Sequence, residues 1–270
     1  MIGTSSLSNG TLLGHQFTPL SINAKQERST SETSYLDLAL KETQLTVYTG
    51  ALAKKILFDG NKTATGVLVE TEGVPYTISA KREVILSAGA VQSPQILMVS
   101  GIGPGETLQK LNISVIADRP GVGQELQDNP YFAISFALPF DTQMTVLFNP
   151  AKIAQAAEEY NTHRTGFLTS TADVINFEKA STLPGYENLP ETVKADLATF
   201  PRDWPEMQFV PPGILFGSMP IDARNYGSFL CGLIAPLSRG SVTINSTDTA
   251  DPPIVTRKSH STSLKPTTSS

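Results

Sequence analysis

Between Leu45 and Ala80 the apolar positions come in short clusters separated by turn residues. Leu45–Tyr48 reads as a buried strand and Leu52–Phe58 as a second. Asp59-Gly60-Asn61-Lys62 is a turn, Ala64–Glu70 alternates as a third strand, and Glu72-Gly73 turns the chain into Tyr76–Ala80. Such alternation, interrupted by Gly-containing turns, predicts hairpins. Upstream, residues 1–34 are dominated by Gly, Ser, Thr and Asn with weak periodicity, which predicts loop. A short helix is expected over Ser34–Lys41, with Thr33 or Ser34 as its cap.

After Glu83 the pattern changes. Val84-Ile85-Leu86 is a continuous apolar run of the kind found in strands covered on both faces. It ends at the small residues Ser87-Ala88-Gly89-Ala90. Ser93 is then expected as an N-cap with Pro94 at the first helical position, and Ile96–Val99 as the helix body. Gly101 is available for a left-handed cap and Pro104 blocks continuation. Small side chains at the strand's end let a ligand approach the backbone, and helix N-terminal amides can face negative charge. A helix at Glu106–Leu111 and a strand at Val115–Ala117 are expected next.

Composition shifts after Asn129-Pro130. Strands are predicted at Tyr131–Leu138, Met207–Val210, Ser228–Ile234 and Gly240–Ile244. Helices are predicted at Ala151–Thr162 and at Glu191–Thr199, the latter inside a loop-rich stretch from Pro184 to Pro205. From Arg257 onward the Ser/Thr/Lys-rich tail carries no apolar pattern and is expected to be disordered. No internal repeat is present.

The chain has 270 residues, of which 40% are hydrophobic and 17% charged, enough apolar content to bury a sizeable core. The net charge of −5 leaves no basic stripe for phosphate neutralisation, which argues against nucleic acid as a partner. No run approaches the ~20 apolar residues of a membrane helix, so no membrane partner is expected. A single cysteine, Cys231, excludes an internal disulfide and a cysteine-based zinc site. His15, His163 and His260 are far apart, so no metal site is expected. Met1–Gly10 is polar and has no apolar core of a signal peptide. Sequons at Asn9, Asn61, Asn112 and Asn245 matter only on a secretory route, which the sequence leaves open for a longer protein.

Individual chemistry-bearing residues have plain readings. His163 beside Arg164 is expected to be a solvated loop histidine, and His15 likewise. Cys231, in an apolar strand, is expected to be a small buried hydrophobe. Trp204, Phe209 and Phe229 suit core packing better than a pocket lining. Asp203 and Glu206 do not make a carboxylate pair on spacing alone, and Asp128 suits a helix cap or turn.

Gly89-Ala90-Val91-Gln92-Ser93-Pro94-Gln95-Ile96-Leu97-Met98-Val99-Ser100-Gly101-Ile102-Gly103 closely resembles the second signature of the glucose–methanol–choline (GMC) flavoprotein oxidoreductases. The flanks are similar too. Thr49-Gly50-Ala51 with Lys55-Ile56-Leu57-Phe58 resembles the family's strand beside the flavin adenine, and Arg82–Ala90 its return strand. Pro120–Pro130 resembles its Gly-Val-Gly-x-x-Leu-Gln-Asp-His-Pro run, with Asn129 where His is common. Pro236–Val242 resembles the opening of its C-terminal part, and the likeness extends over about residues 1–255, closest to fungal alcohol oxidases and secondary-metabolite enzymes.

This resemblance implies an α/β plus α+β architecture: an incomplete, Rossmann-like FAD-binding domain with part of a mixed-sheet substrate domain. The implied division is 1–128 for the FAD-binding region, 129–235 for the substrate-domain portion, 236–256 for the start of the C-terminal region, and 257–270 for the tail. FAD is the implied cofactor and a small-molecule alcohol the implied substrate; the resemblance is silent on oligomeric state. The implied cofactor-binding residues are Ala53, through its backbone at the adenine edge, and Ser87, Ala88 and Gly89 beside the adenosine. The family's Gly-x-Gly-x-x-Gly and its C-terminal catalytic histidine find no counterpart, and His260 lacks the expected context. No catalytic residue is therefore assigned. The chain reads as an internal piece of such a protein, as from an incomplete or frame-shifted gene model. It is expected to leave apolar strand edges exposed, to be poorly soluble, and to show no appreciable alcohol turnover alone. A redox-inactive relative that uses FAD structurally, of cyclase or lyase type, and a non-enzymatic fragment are the alternative readings.

Overall fold

The computed structural model describes residues 10, 12–169, 174–217 and 224–257. Asn9, His260 and the expected disordered tail beyond Arg257 lie outside the described residues. In chain order the strands are β1 (Gly14–Phe17), β2 (Leu52–Phe58), β3 (Ala64–Thr71), β4 (Val74–Ser79), β5 (Ile102–Gly103), β6 (Ala117–Asp118), β7 (Tyr131–Leu138), β8 (Val174–Glu178), β9 (Met207–Val210), β10 (Asn225–Leu233), β11 (Ser241–Thr243) and β12 (Ile254–Thr256). The α-helices are α1 (Asp37–Glu42), α2 (Gly89–Val99), α3 (Gly105–Lys110), α4 (Gln143–Leu147), α5 (Pro150–His163) and α6 (Glu191–Leu197). The described chain forms two compact units, one from the residues up to Leu45 with Asn129–Leu237, the other from Thr46–Asp128 with the residues from Ser238 onward. The stretch before Leu45, which the resemblance grouped with the FAD-binding region, thus lies with the 129–237 segment.

The first unit is built on an antiparallel sheet in the order β1-β8-β9-β10-β7. The Tyr131 ring lies across Gly232, where a Cβ would come within 2.3 Å of it, so only glycine admits the ring. The Tyr131 hydroxyl hydrogen-bonds Gln208 on β9, tying an edge strand to one two places away. Asn149 caps α5 by accepting from the amides of Ala151 and Lys152, with Pro150 at the first position. Glu206, just before β9, is fully buried. Its carboxylate pairs with Lys179 and accepts from the Ala180 amide at 2.8 Å.

The second unit carries the hairpin sheet β2-β3-β4 and packs α2 and α3 around Met98, Val99, Leu108, Ile113 and Ile244. A bulge between Ala53 and Lys55 shifts the β2–β3 register. Ser100 fastens helix to sheet: its hydroxyl accepts from the Ile56 amide at 2.9 Å and donates to the Ile96 carbonyl at 2.5 Å. Gly101 supplies the expected left-handed cap at φ +88°, its amide donating to Met98.

Several expectations are corrected. Leu45–Tyr48 forms no strand, and Leu45, Val47 and Tyr48 are exposed. Val84–Leu86 is likewise irregular, with Ile85 78% exposed. A strand needs a hydrogen-bonded neighbour, and none among the described residues lies beside it. Residues 1–34 are not all loop: β1 pairs antiparallel with β8, Gly14 opposite Phe177 and Phe17 opposite Val174, so nothing local announces it. A π-helical turn at Glu32–Leu36 leads into α1, and its N-cap is Ser31, rather than Thr33 or Ser34, with no side-chain capping bond. Thr30 and Thr33 each accept from the other's amide through their hydroxyls. The predicted Ser93–Pro94 helix start is a full turn late. Helix α2 begins at Gly89 and contains Pro94, which forfeits only the bond to the carbonyl four residues back.

Candidate functional site

Strand β2 and helix α2 meet at a small cavity of about 150 Å³ lined by Leu52, Ala53, Ala88, Gln92, Gln95, Ile96 and Thr249. Two of the four residues singled out from the sequence, Ala53 and Ala88, come together here although 35 positions apart by their numbers. Ser87 and Gly89 flank Ala88 along the chain but do not line the cavity. The junction is held by a hydrogen bond from the Ala88 amide to the Ser93 hydroxyl, 3.1 Å. Ser93 therefore ties down the strand-to-helix turn instead of capping the helix. Gly89 takes φ +86°, a conformation that a side chain would strain, and no atom lies within 4 Å of the place its Cβ would take.

The far wall comes from the loop before β12. The Thr249 hydroxyl donates to the Ala53 carbonyl at 2.8 Å. The side-chain amide of Gln95, itself buried, donates to the Asp251 carbonyl at 2.7 Å and the Thr249 carbonyl at 3.4 Å. Lys54, at the β2 bulge, pairs with Asp248 and lies 3.7 Å from Glu70. Hydrogen bonding to Asp248 raises the Lys54 ammonium above its ordinary range; the same bond, helped by the Ala250 amide, lowers the Asp248 carboxyl. Sequence reasoning missed Gln92, Gln95 and Thr249. A lone glutamine on the core-facing side of an apolar helix was the available signal for Gln95; Thr249 had none.

A second cavity, about 420 Å³, is lined by Ala90, Ser93, Pro94 and Leu97 of α2, the 122–127 loop and Val242. Gly123 is required there: a Cβ would sit 2.0 Å from the Val242 carbonyl, and its φ is +76°. Helix α2 thus presents residues to both cavities, one lined by the sequence that resembles an adenine strand, the other by the Gly-Val-Gly loop.

The remaining candidates take structural places. His163 ends α5 and is exposed; His15 is half-buried on β1. Cys231 is buried on β10, and burial pushes its thiol up. Phe209 and Phe229 pack with ring centroids 5.6 Å apart, but Phe229 is 40% and Trp204 49% exposed, so neither of these two is core. Asp203 is exposed and Glu206 buried, so they form no pair. Asp128 is neither cap nor turn but an ion-pair partner of Arg257 at 3.2 Å. Among the described residues no group of three or more His, Cys, Asp or Glu is placed to hold a metal ion, and no helix is long and apolar enough to cross a membrane.

The cavity's walls suit a flat heteroaromatic ring. Side chains no larger than alanine flank it at positions 53 and 88, and a carbonyl, an amide side chain and a hydroxyl offer hydrogen bonds at its rim. The fold is that of a partial FAD-binding domain in a mixed helix-and-sheet protein. Residues 9–131 match the family model described as GMC oxidoreductase. The chain is 43% identical over 256 residues to patulin synthase of Aspergillus clavatus, covering 92% of this chain and 41% of that protein. It is 44% identical over 252 residues to versicolorin B synthase of Emericella nidulans, covering 92% and 39%. The fold superposes on a formate oxidase of Aspergillus oryzae with a TM-score of 0.81 at 26% identity, over 92% of this chain and 45% of that one. The chain belongs to the GMC oxidoreductase family, whose N-terminal domain binds FAD. It spans about two fifths of the length of these curated relatives.

Proposed function

We propose that this chain supplies the adenosine-binding wall of an FAD-dependent oxidoreductase acting on a CH–OH group. The observation that carries the reading is the cavity that joins Ala53 of β2 to Ala88 before α2, inside the stretch matched by the family model. Ala53 offers backbone atoms to the adenine edge, where a side chain is immaterial. Ala88 and Gly89 keep the adjoining turn thin enough for the ribose, and Ser87 contributes backbone there. When bound, the flavin supplies a hydride acceptor for the alcohol carbon, a chemistry that no amino-acid side chain provides. The exposed face of β7, with Phe132 at 58%, Ile134 at 59% and Phe136 at 46%, is the apolar surface proposed to face an organic substrate. The substrate class is a small-molecule alcohol.

A second reading is FAD held structurally, without redox turnover. The two are separated by mixing a flavin-loaded, full-length protein that carries this sequence with a panel of primary and secondary alcohols under anaerobic conditions. Bleaching of the flavin's visible absorbance by an alcohol supports oxidation. Stoichiometric flavin that no alcohol bleaches overturns it in favour of structural use. A folded chain that takes up no flavin contradicts both.

A further inference from the structure

The adenine wall proposed above has a backbone half, Ala53, whose geometry is fixed by a residue far away in sequence. We infer that Thr249 is a positioning residue for the adenine ring of the cofactor, held in place by Gln95 and by the Lys54–Asp248 pair. The inference rests on the reading of the small cavity as an adenine site.

Ala53 sits beside a register shift, where the β2–β3 ladder is interrupted. Ala53 still pairs with Val69, and Lys54 is the residue the bulge leaves unpaired, but β2 is an edge strand, and carbonyls on its open side have no partner strand to fix their direction. The Thr249 hydroxyl donates to the Ala53 carbonyl at 2.8 Å, while Thr249 itself lines the cavity and is only 9% exposed. A carbonyl oxygen has two lone pairs, so this bond leaves one for a ligand. The hydroxyl aims the carbonyl and excludes water from its other side.

Thr249 is itself held from three directions. Lys54, at the bulge next to Ala53, pairs with Asp248, the residue before Thr249. The Asp248 carboxylate also accepts the Ala250 amide at 2.8 Å, closing the loop on itself. From the helix side Gln95, 3% exposed, donates to the Asp251 and Thr249 carbonyls. Gln95 lines the same cavity. A buried side-chain amide directed at two backbone carbonyls of one loop is costly to leave unpaired, so the loop's position follows that of α2. Strand bulge, helix and loop are thus locked to one another around the cavity.

The test uses the full 270-residue chain and three ligands: FAD, AMP as the adenine half, and riboflavin 5′-phosphate as the flavin half. Thr249→Val removes the hydroxyl at nearly constant volume; Thr249→Ser keeps it. Loss of one net hydrogen bond predicts about fivefold weaker binding of FAD and AMP to T249V. T249S is expected to bind as the parent does, and affinity for riboflavin 5′-phosphate is expected to be unchanged throughout. Thermal unfolding reports whether each variant is folded. Equal affinity of T249V and the parent for AMP overturns the inference while leaving the adenine reading intact. Equal losses for AMP and riboflavin 5′-phosphate overturn it as well, because the effect is then general. If the parent chain binds neither FAD nor AMP, the adenine reading falls and the inference with it.

Discussion

At the scale of single residues, the second unit depends on a few polar side chains that link distant segments. Ser100 is 1% exposed and satisfies the Ile56 amide that the sheet leaves free. An unsatisfied buried amide costs about 1–3 kcal/mol, so a hydroxyl there outweighs the apolar methyl that would fill the space. The Lys54–Asp248 pair works through charge, and its effect follows pH. The Asp248 carboxyl is held below its ordinary value of 3.8 by the bond to Lys54, so the folded state favours the ionised form. Its contribution is complete above 3.8 and disappears as pH falls through the lowered folded value. Lys54 is raised above 10.5, so its share is complete below 10.5 and disappears as pH rises through the raised value. The expected result is a stability advantage of the parent over Asp248→Asn at neutral pH that vanishes in strong acid. Urea unfolding midpoints of the two proteins across pH measure it; a pH-independent difference would show that the pair's charge contributes nothing. These residues were hard to read from sequence. Ala53 and Ala88 stand in stretches that resemble two of the family's strands, 49–58 and 82–90, whereas Thr249 is an unremarkable threonine in a Ser/Thr-rich segment, joined to Ala53 only by folding.

At the scale of elements, local patterns translated well and non-local ones did not. Leu52–Phe58, Tyr131–Leu138 and Met207–Val210 form strands with the bounds that their apolar alternation predicts. The hairpin turns at Asp59–Lys62 and Glu72-Gly73 fall where short-range turn chemistry puts them. The misread elements, Leu45–Tyr48 and Val84–Leu86, are runs whose strand character depends on a neighbour, and an apolar run does not say whether a neighbour exists. The start of α2 was misplaced because Ser-Pro carries a strong cap signal. Here the serine hydroxyl serves the Ala88 amide, and the proline sits inside the helix. Glu206 was missed for a related reason: its burial depends on Lys179 and on the Ala180 amide, which approach only when β8 and β9 pair. Removing one partner of a buried pair leaves a charge without compensation, at a cost of about 3–5 kcal/mol. Lys179→Met is therefore expected to destabilise the sheet strongly, read as a large fall in the urea midpoint. A shift within about 0.5 kcal/mol, typical of a surface substitution, would contradict the buried-staple account.

At the scale of the whole chain, each unit has its own role in the proposal. The 46–128 and 238–257 segments build both cavities and all the residues assigned to the adenosine. The sheet of the other unit presents the aromatic face of β7. The chain spans 41% of patulin synthase of A. clavatus and 45% of the A. oryzae formate oxidase, so oxidation by the whole protein stays a proposal, whereas ligand capture by the small cavity is a property this chain can be asked for directly. The most direct test is hydrogen–deuterium exchange of the 270-residue chain with and without FAD. The account predicts slowed exchange at the Ala53 amide, at Ala88–Gly89 and along the first turn of α2, with no change in β7 or β10. Unchanged exchange at Ala53 and Ala88 under saturating FAD, or protection confined to other segments, would contradict it.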